Sequence, residues 1–325
     1  MTDKKLILER VLTGEIARVT ERAAVAAARL RGRGDEKAAD QAAVDAMRKE
    51  LNALKIEGVV VIGEGERDEA PMLFIGEEVG TGNGPGVDIA LDPLEGTTLT
   101  AKDMPDALAV IAMAEGGTLL HAPDVYMDKI AIGGGFADGL VDLDAPPQEN
   151  LNALAKAKGV PVGDITACIL DRPRHVKLIE AVRAAGAAVR LISDGDVAGV
   201  IHTTKPVDTG IDIYMGIGGA PEGVLAAAAL RCIGGQMQGR LVTNNAAQRV
   251  RAEKMGVEDF ERKYNLYELA SGDVMFAATG VTDGSILSGV KFGKNKIVTD
   301  TVVMRSSTGT VRWIKAEHSY AAKFE

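Results

Sequence analysis

The sequence predicts an α/β protein in two parts, α+β in the first and alternating α/β in the second. Three observations carry this: a pair of helical patterns at the start, strand-like runs that end in glycine- and acid-rich segments, and regular strand–helix alternation after residue 147. A chain of 325 residues is long enough for about two domains, and its apolar fraction of 46% supports large cores.

Residues 3–31 and 36–55 place apolar side chains at helical spacing, with Leu8, Val11 and Leu12 in the first and Ala43, Met47, Leu51 and Leu54 in the second. Between them, the glycines of Gly32-Arg33-Gly34-Asp35 end one helix and Asp35 caps the next. Short β-rich runs follow at 58–62 and 87–91. The runs 107–114 and 118–122, joined through Glu115-Gly116-Gly117, read as an antiparallel hairpin. After Ala145-Pro146-Pro147-Gln148 the elements alternate at 167–170, 176–185, 189–192, 198–202, 211–215 and 224–232, which implies parallel βα units. A domain boundary is therefore expected near residue 147, dividing the chain into 1–147 and 148–325. Strand-like runs at 274–278, 297–305 and 309–314 close the sequence.

Charge narrows the partners. Acids outnumber bases 46 to 37, for a formal charge of -9, and this argues against a nucleic-acid or anionic-membrane surface. Cys168 and Cys232 sit in apolar surroundings and read as buried thiols of a reducing compartment. The start of the chain is polar, and its Ala-rich stretch 23–30 is too short and too charged to span a membrane, so a cytoplasmic protein is expected.

Two acid clusters follow the early strands. Gly63-Glu64-Gly65-Glu66-Arg67-Asp68-Glu69 sets four carboxylates in six positions directly after Val59-Val60-Val61-Ile62. A solvated acidic loop explains one such cluster. A second, Asp92-Pro93-Leu94-Glu95-Gly96-Thr97-Thr98 after Val87–Leu91, favours a functional reading, because crowded carboxylates repel unless a cation bridges them. Hard oxygen ligands select Mg2+ or Mn2+. A turn needs only Asp92, Pro93 and Gly96, so Glu95, Thr97 and Thr98 are surplus to it. Gly96 lets the backbone approach an anion, and the N–H groups of residues 96–98 would face it where a helix begins.

The later loops each follow a strand: Asp171-Arg172-Pro173-Arg174-His175, Ser193-Asp194-Gly195-Asp196, and Gly216-Ile217-Gly218-Gly219-Ala220-Pro221-Glu222-Gly223. In consecutive parallel units such loops share the carboxyl edge of a sheet, where ligands sit. Arg172, Arg174 and His175 read either as surface residues or as an anion site; cations are unfavourable at a helix start, which favours the anion. Asp194 and Asp196 serve equally as N-caps. Glu222 reads as an ordinary first-turn acid behind Pro221, and Tyr126 as core on periodicity alone.

The stretch Asp92-Pro93-Leu94-Glu95-Gly96-Thr97 resembles the Asp-Pro-x-Asp-Gly-Ser/Thr signature of the lithium-sensitive, magnesium-dependent phosphatases, which include inositol monophosphatases and fructose-1,6-bisphosphatases. Taken with VIGEGERDEAPML, DVYM, DRPRH, SDGDV and GIGGAPEGV, the chain is similar to class II fructose-1,6-bisphosphatase of bacteria from Arg18 to its last strands. The resemblance implies the layered αβαβα sandwich of the sugar phosphatases, with two mixed-sheet halves, and a homo-oligomer, dimer or tetramer. It implies metal carboxylates at Asp40, Glu64, Asp92, Glu95 and Glu222, with Asp68 and Thr97 activating the attacking water. It places Glu95, Gly96, Thr97 and Tyr126 at the substrate, Arg172, Arg174 and His175 at the distal phosphate, and Asp194, Gly195, Asp196 and Gly219 around the sugar. The sequence departs from many relatives before Asp40, where Lys37 is displaced by one place, and at 243–257, which is shorter.

The expected reaction is metal-dependent hydrolysis of the 1-phosphate of fructose 1,6-bisphosphate. Rivals are sedoheptulose 1,7-bisphosphate, an inositol or nucleotide phosphate, and a non-catalytic sugar-phosphate sensor. Two phosphate-binding regions favour a bisphosphate, and intact Asp68 and Thr97 argue against the sensor. A dinucleotide site is set aside because Pro221 stands where its fingerprint needs glycine.

Overall fold

The computed structural model describes Leu8 and residues 11–65 and 72–319. By internal contacts the chain forms two compact units, one of residues 1–120 and 271–325 and one of residues 121–270.

In the first unit, α1 (Leu12–Ala28) and α2 (Glu36–Leu51) meet at the expected elbow. Gly32 and Gly34 take φ of 69° and 75°, and the Asp35 carboxylate accepts the Ala38 N–H at 3.0 Å. The strands are β1 (Glu57–Ile62), β2 (Glu78–Val79), β3 (Gly86–Glu95), β4 (Leu108–Glu115), β11 (Val274–Gly280), β12 (Lys291–Phe292), β13 (Lys296–Arg305) and β14 (Thr310–Ser319), with α3 (Thr97–Ala101) after β3. They make one sheet in the order β12-β13-β11-β4-β3-β1-β2, with β14 along β13. Among the described strands of this sheet, only β1 and β3 run parallel. Alternate residues of the central strands, Ile89 and Leu91, Ile111 and Met113, Met275 and Ala277, share a core with Ile16, Val19 and Ala23 of α1 and Ala43, Met47 and Leu51 of α2. Each large aliphatic side chain buried there contributes about 1.5–3 kcal/mol.

The second unit holds β5 (Tyr126–Gly133), α4 (Pro147–Lys158), β6 (Thr166–Leu170), α5 (Val176–Ala184), β7 (Ala188–Ile192), α6 (Asp196–His202), α7 (Pro206–Thr209), β8 (Ile213–Gly219), α8 (Ala220–Ile233), β9 (Gly235–Val242), α9 (Ala246–Lys254), β10 (Tyr264–Asn265) and α10 (Leu266–Leu269). Its sheet runs β10-β9-β5-β8-β6-β7, parallel across β8, β6 and β7 and antiparallel elsewhere. The alternation read from the sequence is thus present, and both sheets are mixed.

Two features differ from the sequence reading. The expected boundary at 147 falls at the start of α4, inside the second unit: β5 precedes it yet pairs with β8 and β9, and β11 returns to pair with β4 from Val274–Ala114 to Gly280–Leu108. Periodicity reveals elements but not which distant strands pair. The expected hairpin at 107–122 is also replaced. The chain turns at Gly116-Gly117, and the N–H groups of Thr118 and Leu119 donate to the buried Asp88 carboxylate at 2.9 and 3.2 Å. The neighbours of β4 are instead β3 and β11.

Candidate active site

Because β1 and β3 are parallel neighbours, their carboxyl ends share one edge, and three of the candidate carboxylates stand there. Glu64 lies two residues beyond β1, with its N–H donating to the Leu73 carbonyl at 3.0 Å. Only glycine fits before it, since a Cβ on Gly63 would fall 2.1 Å from that same carbonyl oxygen. Asp92 and Glu95 belong to β3 itself. Asp92 pairs with Val110 and Glu95 with Leu108, so three steps on β3 oppose two on β4, and the Asp-Pro-Leu-Glu stretch is a β-bulge and not the turn expected. A bulge tolerates Pro93, which has no N–H to give. The Asp92 carboxylate also accepts the Leu94 N–H at 3.0 Å, which fixes its direction.

Past the bulge, Gly96 takes φ 88° and ψ 55° and caps α3, where a Cβ would lie 2.8 Å from Leu99 Cδ1. Thr97 is the first residue of that helix, so its N–H has no acceptor within the helix. Asp40 stands on the second turn of α2, where burial raises its carboxyl pKa. Partly withdrawn from water, that group gains from a nearby cation. Asp68, expected to activate water, lies outside the described residues. The donor set suits a hard divalent cation, being carboxylate oxygen throughout with no thiolate or imidazole. Among the described residues, however, no three His, Cys, Asp or Glu side chains converge on one ion position.

In the second unit the candidates gather at the carboxyl ends of β6 and β8. Arg174 donates from Nε and Nη2 to the Ile217 carbonyl at 3.0 and 2.7 Å, and its guanidinium stacks 4.7 Å from the centre of the Tyr126 ring. Tyr126 is 38% exposed, so it is a surface platform and not core. Arg172 is partly exposed and bonds the Asp171 carbonyl.

His175 corrects an expectation. It is 2% exposed, with Nδ1 2.7 Å from the Leu170 carbonyl and Nε2 2.8 Å from the Ile217 N–H. A carbonyl only accepts and an N–H only donates, so Nδ1 carries the proton and the ring is neutral. Burial lowers its pKa, with the nearby Arg174 charge acting the same way. Both nitrogens are thereby committed to main chain, and His175 braces β6 against β8 instead of meeting a phosphate.

Asp196 is likewise inward. It is 6% exposed, and its Oδ2 accepts from Lys129 Nζ at 2.5 Å and from the Tyr214 hydroxyl at 3.4 Å. Gly195, at φ 82°, caps α6, and Asp194 precedes it, partly exposed. Glu222 occupies the first turn of α8 and folds back over Gly219, where a Cβ would lie 1.7 Å from its Oε2. The three glycines of the Gly-x-Gly-Gly run thus clear four side chains: Gly216 for His175, Gly218 for Asp196 and Lys129, Gly219 for Glu222. Lys129 escaped the sequence reading. Its only signal is a cation within the otherwise apolar run Lys129–Ile132 of β5.

Comparison with known proteins agrees with the motifs. The family described as bacterial fructose-1,6-bisphosphatase, glpX-encoded, matches residues 10–318. A protein of Synechococcus sp. (strain JA-3-3Ab) named D-fructose 1,6-bisphosphatase class 2/sedoheptulose 1,7-bisphosphatase is 46% identical over 329 residues, covering 94% of each chain. One of the same name from Prochlorococcus marinus (strain NATL1A) is 44% identical over 325 residues, covering 96% of this chain and 97% of its own. Among solved structures, an inositol monophosphatase from Anabaena (Nostoc) sp. PCC 7120 overlaps 59% of this chain and 71% of its own at 13% identity, with a TM-score of only 0.31. With a match running through both units, the chain belongs to the bacterial, glpX-type fructose-1,6-bisphosphatase family.

Proposed function

We propose that the protein hydrolyses the 1-phosphate of fructose 1,6-bisphosphate to fructose 6-phosphate and phosphate, with Mg2+ or Mn2+ as cofactor. The observation that carries this reading is the β3 bulge, which sets Asp92 and Glu95 at the end of the strand parallel to β1, the strand that Glu64 follows, and runs directly into the left-handed Gly96 and the start of α3. Asp40, Glu64, Asp92, Glu95 and Glu222 are the proposed metal carboxylates. Bound divalent cations would neutralise the phosphate dianion, lower the pKa of the attacking water and stabilise the departing O1.

The remaining roles belong to the chain's own groups. Thr97 Oγ1 accepts a hydrogen bond from the attacking water; as the water oxygen bonds to phosphorus and the P–O1 bond breaks, the water's proton passes to the Asp68 carboxylate and the departing O1 takes up a proton from solvent. Main-chain N–H groups after Gly96 orient the phosphate oxygens. Arg174, held rigid by Ile217 and Tyr126, keeps N–H groups beyond those two bonds for the 6-phosphate, with Arg172 beside it. Asp194 and the main chain around Gly195 and Gly219 remain for the sugar, whereas Asp196 and His175 act from behind.

A second reading has a specific ground: both cyanobacterial relatives described above carry a double name, so hydrolysis of sedoheptulose 1,7-bisphosphate by the same site is the alternative. Phosphate release from the two bisphosphates and from inositol 1-phosphate, with and without EDTA, separates the cases. Turnover of the six-carbon substrate alone supports the first reading, turnover of both bisphosphates the second, and release from neither with metal present rejects both in favour of a sensor. We also propose a cytoplasmic homo-oligomer, which size-exclusion chromatography with light scattering tests for assembly.

A further inference from the structure

We propose that Lys129 is a positioning residue: its buried ammonium ties the Gly219 carbonyl at the end of β8 to the Asp196 carboxylate at the start of α6, and so sets the first turn of α8 that carries Glu222. The inference rests on the reading of Glu222 as a metal carboxylate. Lys129 is 1% exposed, and Nζ donates to Asp196 Oδ2 at 2.5 Å and to the Gly219 carbonyl at 2.9 Å. Burying an ammonium costs several kcal/mol unless charge and hydrogen bonds compensate, and a methionine of the same length would fill the space without that cost. A lysine at this depth therefore needs a reason beyond packing.

The surroundings supply one. A Cβ on Gly218 would fall 1.8 Å from Asp196 Oδ2 and 2.9 Å from Lys129 Nζ, so a side chain there is incompatible with the pair. On α8, a Cβ on Gly223 would lie 3.3 Å from Lys129 Cδ, so the lysine stem packs against the first turn of α8 at Gly223, the residue after Glu222 in the sequence. The adjoining Ala220 N–H donates to the carbonyl of Val125, the residue just before β5, at 2.8 Å, so this stretch of chain holds the elbow at two points. One ammonium thus joins β5, α6 and the β8–α8 elbow. Asp196 takes part in sugar binding only through this bond, by fixing the elbow.

The test compares Lys129→Met, Asp196→Asn and the double variant, which leaves no orphaned charge and so preserves the fold. Folding is followed by thermal melting, Mn2+ binding by calorimetry, and kcat and KM with fructose 1,6-bisphosphate. Folded Lys129→Met or the double variant should bind Mn2+ more weakly and lose about 100-fold in kcat/KM, mostly in kcat, as expected for a displacement near 1 Å. Asp196→Asn, which keeps the Lys129–Gly219 bond, should lose less than tenfold. Folded lysine variants with Mn2+ affinity and kcat/KM within twofold of wild type would overturn the proposal. Should wild-type protein release no phosphate, the bisphosphatase reading fails, and the Mn2+ titrations alone still decide for or against Lys129.

Discussion

Replacing Gly219 by alanine separates the fold from the site. Gly219 has φ -63° and ψ 144°, a conformation open to any residue, so the backbone loses nothing. The new methyl would stand 1.7 Å from Glu222 Oε2, 2.6 Å from Cδ and 3.0 Å from Oε1. Ordinary contact is about 3.5 Å, so the carboxylate must retreat by roughly 1.5–2 Å. The obstructed atoms are the far end of a flexible side chain, and rotating it costs about 1 kcal/mol or less. Gly219→Ala should therefore melt within a few degrees of wild type while kcat/KM falls about 100-fold, since a misplacement of 1 Å is enough for such a loss. Calorimetric Mn2+ titration should show a parallel loss of affinity. Wild-type Mn2+ affinity and turnover in the alanine variant would refute the placement of Glu222 among the metal ligands. Gly63→Ala provides the contrast: its methyl would meet the Leu73 carbonyl at 2.1 Å, and main chain cannot rotate away, so destabilisation above about 2 kcal/mol is expected in urea unfolding.

Other outcomes follow from the same geometry. His175→Ala leaves the Leu170 carbonyl and the Ile217 N–H without their partner and should destabilise by about 2–5 kcal/mol in urea melts. The same ring makes stability depend on pH: its folded pKa lies below the unfolded value of 6.5, so its contribution is full above that value and drains away as pH falls below it. Wild type minus His175→Asn should show this loss as pH falls below about 6.5, and a difference independent of pH would contradict the neutral tautomer. Arg174→Lys gives up the two-pronged hold on Ile217 and the stack on Tyr126, so KM for the bisphosphate should rise about tenfold with kcat less affected. Asp35→Ala removes the N-cap of α2 and should cost about 1 kcal/mol in thermal melts without changing turnover.

What the sequence revealed follows the range of each signal. The elbow at Gly32–Asp35 and the strand–helix alternation from 166 to 233 are local, written in spacing, glycine and capping residues, and both are present. The pairing of β11 with β4 is not local, since residues more than 150 positions apart carry no shared pattern. Asp92-Pro93 reads as a turn because proline usually ends a strand, and a bulge removes that conflict without changing composition. Glu64, Asp92 and Glu95 were legible as residue types, because crowded carboxylates after buried strands need a reason, whereas Asp40, inside α2, came only from the resemblance. The inward roles of His175 and Asp196 were not. Each sits in a loop rich in polar residues, and only a partner elsewhere in the chain, Ile217 for one and Lys129 for the other, decides that the side chain points inward.

The carboxylates at the ends of β1 and β3 are proposed to support metal-dependent phosphomonoester hydrolysis. The most direct measurement of that role is initial-rate phosphate release from fructose 1,6-bisphosphate across an Mg2+ and Mn2+ titration, with wild type beside Asp92→Asn and Thr97→Ala. EDTA should abolish turnover, fructose 6-phosphate should be the organic product, and both folded variants should lose at least about 100-fold in kcat. Metal-independent release, or wild-type rates in the folded variants, would contradict that role.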